Sequence, residues 1–254
     1  MTIDNGRAVR GLRVAEAAWP EVEAALQAGH TGILPVGAAA KEHGRHLPMN
    51  TDYVQAEWLA ARLVERLAVA AWPTLGYGHY PAFLDYPGSC SLGRATFTAA
   101  AAEILDNLLH SGARRVLILN TGISTIPPLE DAIGRCRQPR RVGLANVYAG
   151  PQYRAARARI AREPRGGHAG EAETSIMLAI APERVRMDRA DACTRQMQPG
   201  PLRRRDAAHP NYSPSGVWGD PRLASREQGE VLLRAMLEDL TALLAAPWPE
   251  ENRK

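Results

Sequence analysis

Cysteine is scarce in this sequence: Cys90, Cys136 and Cys193 are the three in 254 residues, an odd number without paired spacing. A disulfide framework is therefore not expected, and a reducing, cytoplasmic setting is the simpler assumption. Aromatic residues are also few, at 6% with only two phenylalanines. That is too little to interleave with basic residues as a single-stranded nucleic-acid platform requires. No apolar run is long enough for a membrane span, and Met1-Thr2-Ile3-Asp4-Asn5-Gly6 lacks the apolar core of a signal peptide. The expected partners thus exclude membrane and nucleic acid. Charge of one sign is not lacking, since the formal net charge is +4 and the pI about 9.2. The arginines are nevertheless scattered, at Arg114-Arg115, Arg140-Arg141, between Arg154 and Arg165, and at Arg203-Arg204-Arg205. They read as solvated faces, with an anionic substrate left open.

What is present is an alternation of strand-like and helix-like segments without a long polar linker, the pattern of one α/β domain over residues 1–254. Strands are expected at 33–36, 69–75, 114–120 and 142–147. Amphipathic helices are expected at 14–28, from Tyr53, from Thr96 or Thr98 to His110, after Pro151, after Ser175, and at 224–244. Residues 121–128 read as a loop. Between them, residues 182–221 form an irregular, proline-rich stretch of the kind that is functional or reaches a neighbouring subunit.

The chemistry gathers where strands end, since ligands of open α/β sheets bind beyond the carboxyl ends of the strands. After Ile33-Leu34-Pro35-Val36 comes a loop holding Glu42, His43, His46 and Asp52, a carboxylate and imidazole set suited to a transition metal. The bland alternative is that Asp52 or Thr51 caps the next helix. A second loop carries His79, and a third places His168 between Gly167 and Gly170, ahead of Glu171 and Glu173. Helix capping alone would explain the two glutamates, but not the glycine-framed histidine. Cys90 has no neighbour in sequence that would activate it as a nucleophile.

Four stretches, His43-Gly44-Arg45-His46-Leu47-Pro48-Met49-Asn50-Thr51-Asp52, Tyr86-Pro87-Gly88-Ser89-Cys90-Ser91-Leu92, His168-Ala169-Gly170-Glu171-Ala172-Glu173-Thr174-Ser175 and Gly216-Val217-Trp218-Gly219-Asp220-Pro221, resemble the creatininase family of metal-dependent amidohydrolases, in the family's order. The resemblance implies an α/β/α sandwich around a mostly parallel sheet, a homo-oligomer that is often a hexamer, and a paired site for zinc, manganese or iron. It implies His43 as a ligand of one metal, Asp52 as the carboxylate bridging both, His168 in proton transfer, and Glu173 as the acidic residue that follows it. Two departures stand out. Where the family has a glutamate two positions before the first histidine, this chain has Lys41, with Glu42 one step later. Beyond Asn120, where the family supplies a histidine and a glutamate, an ungapped alignment gives Gly122 and Ser124.

Three readings stay open at this point. One divalent metal rather than two is held by Glu42, His43 and Asp52, completed by His168, His46 or His79, with an open position for water. Alternatively Lys41 supplies a fixed positive charge and His168 acts as acid or base. In the last, the chain is a non-catalytic small-molecule binding or assembly protein. The leading expectation is hydrolysis of an amide C–N bond in a small polar substrate, with His168, Glu173 and Lys41 as catalytic candidates and His46, His79 and Ser124 as candidate substrate contacts.

Overall fold

A computed structural model describes residues 11–163 and 166–248. Five strands, β1 (Leu12–Arg13), β2 (Thr31–Val36), β3 (Val69–Ala71), β4 (Val116–Asn120) and β5 (Val142–Asn146), form one sheet in the order β1-β3-β2-β4-β5. Every pairing among them is parallel. Every residue of β2 and β4 is buried, as strands covered on both faces must be.

Side chains alternate along each strand, so the sheet feeds two cores. Ile33, Leu117, Leu119 and Ala145 face α2 (Thr51–Arg66), α5 (Pro151–Ile160), α6 (Glu171–Ile180) and α7 (Arg226–Ala245). Leu34, Val36, Val116, Ile118 and Val142 face α1 (Trp19–Gln27), α3 (Arg94–His110) and α4 (Ile126–Arg135). The result is the α/β/α sandwich. In α2 the core stripe is Ala56, Leu59, Ala60, Leu63 and Val64, spaced for one helix face. α6 and α7 touch so closely that a Cβ on Gly229 would lie 1.9 Å from the Ser175 carbonyl oxygen, so only glycine fits there.

Several expected elements shift. The 14–28 helix begins at Trp19, behind a 3-10 turn at Val14–Glu16. The strand expected at 69–75 stops at Ala71, and Leu75 keeps a single bridge to Val36. The loop expected at 121–128 gives way to α4 from Ile126, because Pro127 and Pro128 occupy first-turn positions where a missing N–H costs no hydrogen bond. α2 begins at Thr51 and its N-cap, Asn50, makes no side-chain cap bond; Asp52 lies inside the first turn and points elsewhere.

β2 and β4 are neighbours, yet the helices that follow them, α2 and α4, lie on opposite faces of the sheet. The crevice this opens at their carboxyl ends is where α/β folds bind ligands. Thr121 ties it together, its N donating to Val36 O (3.0 Å) and its Oγ1 to Asp52 O (2.9 Å). The 182–221 stretch is irregular apart from short 3-10 turns, and it packs over this end of the sheet: Arg186 N donates to His46 O, Tyr86 Oη to Ser213 O, and Trp218 pairs antiparallel with His168.

Candidate metal and catalytic site

The loop after β2 settles which of Lys41 and Glu42 faces the carboxylate of Asp52. Lys41 N donates to Met49 O across the loop, and Lys41 Nζ lies 2.7 Å from Asp52 Oδ2, a close ion pair without hydrogen-bond alignment. Both side chains are buried, and Nζ sits 4.9 Å from the centre of the Phe83 ring. Lys41 and His43 together hold the Asp52 carboxyl well below the usual range against the opposing effect of burial, while Asp52, Glu173 and Glu42 hold the Lys41 ammonium above its ordinary pKa although burial pulls it down.

Glu42 turns the other way. Its backbone N donates to Ser89 Oγ, its carboxylate accepts from Gly44 N, and Oε2 lies 3.2 Å from His168 Nε2. Room for that carboxylate requires Gly216, whose φ is +88° and whose Cβ, if present, would lie 2.0 Å from Glu42 Oε1.

The two central histidines have their proton positions fixed by what surrounds them. His43 Nδ1 is 2.9 Å from Lys41 O, which only accepts, so Nδ1 carries the proton. His43 Nε2 faces Asp52 Oδ1 at 2.9 Å, donating to it when the ring is protonated and presenting a lone pair to it when the ring is neutral. Two acceptors facing each other in a buried site need a proton or a cation between them. His168 Nε2 lies 2.9 Å from Glu42 O and donates to it, so its Nδ1 presents a lone pair 3.8 Å from Glu173 Oε2. Phe83 packs on the His168 ring at 4.3 Å between centroids. Ala169, at φ +51°, is the one described non-glycine residue with a left-handed backbone; its N donates to Glu173, which anchors that carboxylate beside His168.

One nitrogen each of His43 and His168 and one oxygen of Glu173 lie within 4.8 Å of one another. Imidazole and carboxylate donors with this spacing and burial suit a single zinc-like or manganese-like ion. Asp52 Oδ2 faces the Lys41 ammonium, and the Asn120 side chain is taken up by bonds to Gly122 and Thr125.

The remaining candidates take other places. His46 donates to or accepts from Thr174 Oγ1 at 2.8 Å, and burial pushes it down to about 4, so it stays neutral near pH 7. His79 Nδ1 donates to Leu92 O, away from Asp52. Ser124 lines a cavity of about 10 Å³, room for one water-sized group, together with Lys41, Asp52 and Tyr80. The Tyr80 hydroxyl is buried without a partner, and burial pushes it up to about 12. Glu171 is structural, accepting from Arg162 N and Glu163 N at 2.8 Å each.

Beside His168 opens a cleft of about 190 Å³ lined by Ile123, Tyr148, Tyr153, Arg157 and Glu173 among others. Burial raises both tyrosines, and Tyr148 Oη donates to Gln55 Oε1. Tyr80, Tyr153 and Arg157 carried no motif in the sequence; Tyr148 followed a strand's carboxyl end, which is the one signal that pointed to it. Among the described residues no helix is long and apolar enough to cross a membrane, and all three cysteines are unpaired.

The family model "Creatininase: Creatinine amidohydrolase" matches residues 15–244. The creatinine amidohydrolase of Pseudomonas putida is 28% identical over 260 residues, covering 94% of this chain and 98% of that protein. A mycofactocin precursor peptide peptidase of Mycobacterium ulcerans (strain Agy99) is 30% identical over 241 residues, covering 86% of each. The solved structure of a manganese creatininase superposes with a TM-score of 0.81 at 26% identity, covering 94% of this chain and 99% of that one. With a continuous family match over nearly its whole length and the same fold, the chain belongs to the creatininase family.

Proposed function

We propose that this protein hydrolyses an amide C–N bond in a small polar substrate, with one divalent metal ion held by His43, His168 and Glu173. The observation that carries the reading is the pair of buried imidazole nitrogens, His43 Nε2 against Asp52 and His168 Nδ1 against Glu173, with His168 and Glu173 lining an open cleft. Lys41 brings one positive charge against the three carboxylates Asp52, Glu42 and Glu173, an imbalance that a cation corrects. An ion at this position supplies Lewis acidity for an amide carbonyl and for water.

The chain's own groups do the rest. The Lys41 carbonyl holds the proton on His43 Nδ1, and Glu42 holds the proton on His168 Nε2, so each ring turns its lone pair inward. Phe83 excludes water from one face of His168. Tyr148, Tyr153 and Ile123 supply apolar walls for the substrate, and Arg157 offers a charge to a carboxylate at the rim. The cleft suits a molecule of creatinine's class or the end of a short peptide, in keeping with relatives named for each substrate type.

In this reading His168 binds the ion instead of carrying protons, and one variant separates the two roles. His168→Ala should lose both metal and turnover against a panel of cyclic amides, linear amides and short peptides. A His168→Ala protein that keeps its ion but loses turnover returns His168 to proton transfer. A wild-type protein that hydrolyses none of the panel with manganese or zinc present contradicts the enzyme reading and favours a binding protein, for which the Lys41–Asp52 pair is the supporting observation.

A further inference from the structure

We infer that the Lys41 ammonium is a built-in cation that occupies one of the two cation positions on the Asp52 carboxylate, so that this chain takes one divalent ion fewer than it would with an anion at position 41. The inference rests on the proposed single-ion site for its count, and on Lys41 itself for its cause.

Four observations carry it. Asp52 is 1% exposed and its two oxygens face different ways: Oδ2 lies 2.7 Å from Lys41 Nζ, and Oδ1 lies 2.9 Å from His43 Nε2. The carboxylate is thus shared between a fixed cation and a nitrogen whose lone pair asks for another. Lys41 is not a surface side chain that has drifted inward. It is 6% exposed, its backbone N is bonded across the loop to Met49 O, and its ammonium rests over the Phe83 ring. A buried ammonium is retained only where fixed negative charge offsets its lost hydration, and here Asp52 does so directly.

The third observation is the space beyond it. The cavity that Lys41 and Asp52 share with Gly122 and Ser124 holds about one water-sized group and no imidazole or carboxylate besides Asp52. In the loop from Asn120 to Thr125 the Asn120 side chain is taken up by bonds to Gly122 and Thr125, and Ser124 brings only a neutral hydroxyl to the cavity. Fourth, the orphaned Tyr80 hydroxyl lines the same cavity, a neutral group that can serve a water or an ammonium proton but does not supply the charge of a metal ligand. A divalent ion beside Lys41 would meet a like charge and a shortage of anionic ligands. Each alone disfavours it; together they reserve this half of the site for the side chain.

The experiment is equilibrium dialysis of the full-length, chelator-stripped protein against manganese chloride, with bound metal measured by elemental analysis. Three proteins are compared: wild type, Lys41→Glu, and the neutral, similarly shaped Lys41→Met. Folding of each is checked by circular dichroism. Lys41→Glu should bind one ion more per chain than wild type. Lys41→Met should bind the wild-type ion at least about tenfold more tightly, since a nearby positive charge has been removed from a poorly screened site. If Lys41→Glu does not fold, the affinity of Lys41→Met decides alone. Wild type taking two ions with Lys41 in place overturns the inference, and so do folded variants that bind with wild-type number and affinity. The proposed function fails separately: wild type binding no manganese while Lys41→Glu binds one refutes the single-ion site yet upholds the role of Lys41. No binding by any of the three refutes both.

Discussion

Substituting Asp52 by Asn removes the anion that faces Lys41 while keeping the shape of the side chain, and it should destabilise the metal-free protein by about 3–5 kcal/mol, the usual cost of leaving one partner of a buried pair uncompensated. Lys41→Met should cost less, about 1–3 kcal/mol, because Asp52 keeps His43 as a partner through Oδ1. Removing both charges together should recover much of the loss, so the double variant should be more stable than the sum of the singles by about 2 kcal/mol or more. Urea denaturation at neutral pH with chelator present, followed by circular dichroism, gives each value from the midpoint and slope. The pH dependence has a fixed sign. Asp52 is depressed in the folded state, so its contribution is complete above its ordinary pKa and is lost as pH falls toward the folded value. Lys41 is raised, so its contribution is complete below its ordinary pKa and disappears only as pH rises through the higher folded value. An Asp52→Asn penalty under about 1 kcal/mol, or simple additivity in the double variant, would refute the claim that the buried ion pair organises this loop.

Two further outcomes follow from neighbouring residues. His46 is pushed down to about 4 by burial, so between its ordinary pKa near 6.5 and about 4 the unfolded chain takes up a proton that the folded chain refuses, and stability should fall with pH across that window. His46→Gln should flatten that stretch of a stability-versus-pH curve, and an unchanged slope would contradict the assignment. Gly216→Ala adds a methyl at φ +88° where Glu42 Oε1 already lies, so it should cost more than about 1 kcal/mol in urea denaturation and weaken manganese binding by displacing the partner of His168; unchanged binding would show that Glu42 does not orient that ring.

Much of the scaffold was legible because it rests on local signals. The apolar run of β2 and the spaced apolar residues of α2 announce burial on both faces and on one face respectively. The loops carrying His43 and His168 were legible as strand-end and helix-start chemistry, whereas the close approach of Gly216 to Glu42 joins segments far apart in the chain and was not. α4 was not, because two prolines read as breakers until their first-turn position is known. Whether Lys41 or Glu42 faces Asp52 was beyond sequence reasoning, since a loop has no period and a one-residue slip exchanges the two. The same holds for Tyr80, Tyr153 and Arg157, which reach the site only through the packing of separate segments. His79 shows the converse: a histidine in a turn-rich loop looks like a ligand, but the backbone carbonyl of Leu92 takes its ring proton.

The central claim is a single metal ion between His43, His168 and Glu173. Its most direct test is anomalous-scattering crystallography of crystals grown with manganese and measured at the metal's absorption edge. One peak per chain, within coordinating distance of both imidazoles and of Glu173 and with the Lys41 ammonium still on Asp52, is the predicted result. Two peaks, or one centred between Lys41 and Asp52, would contradict it.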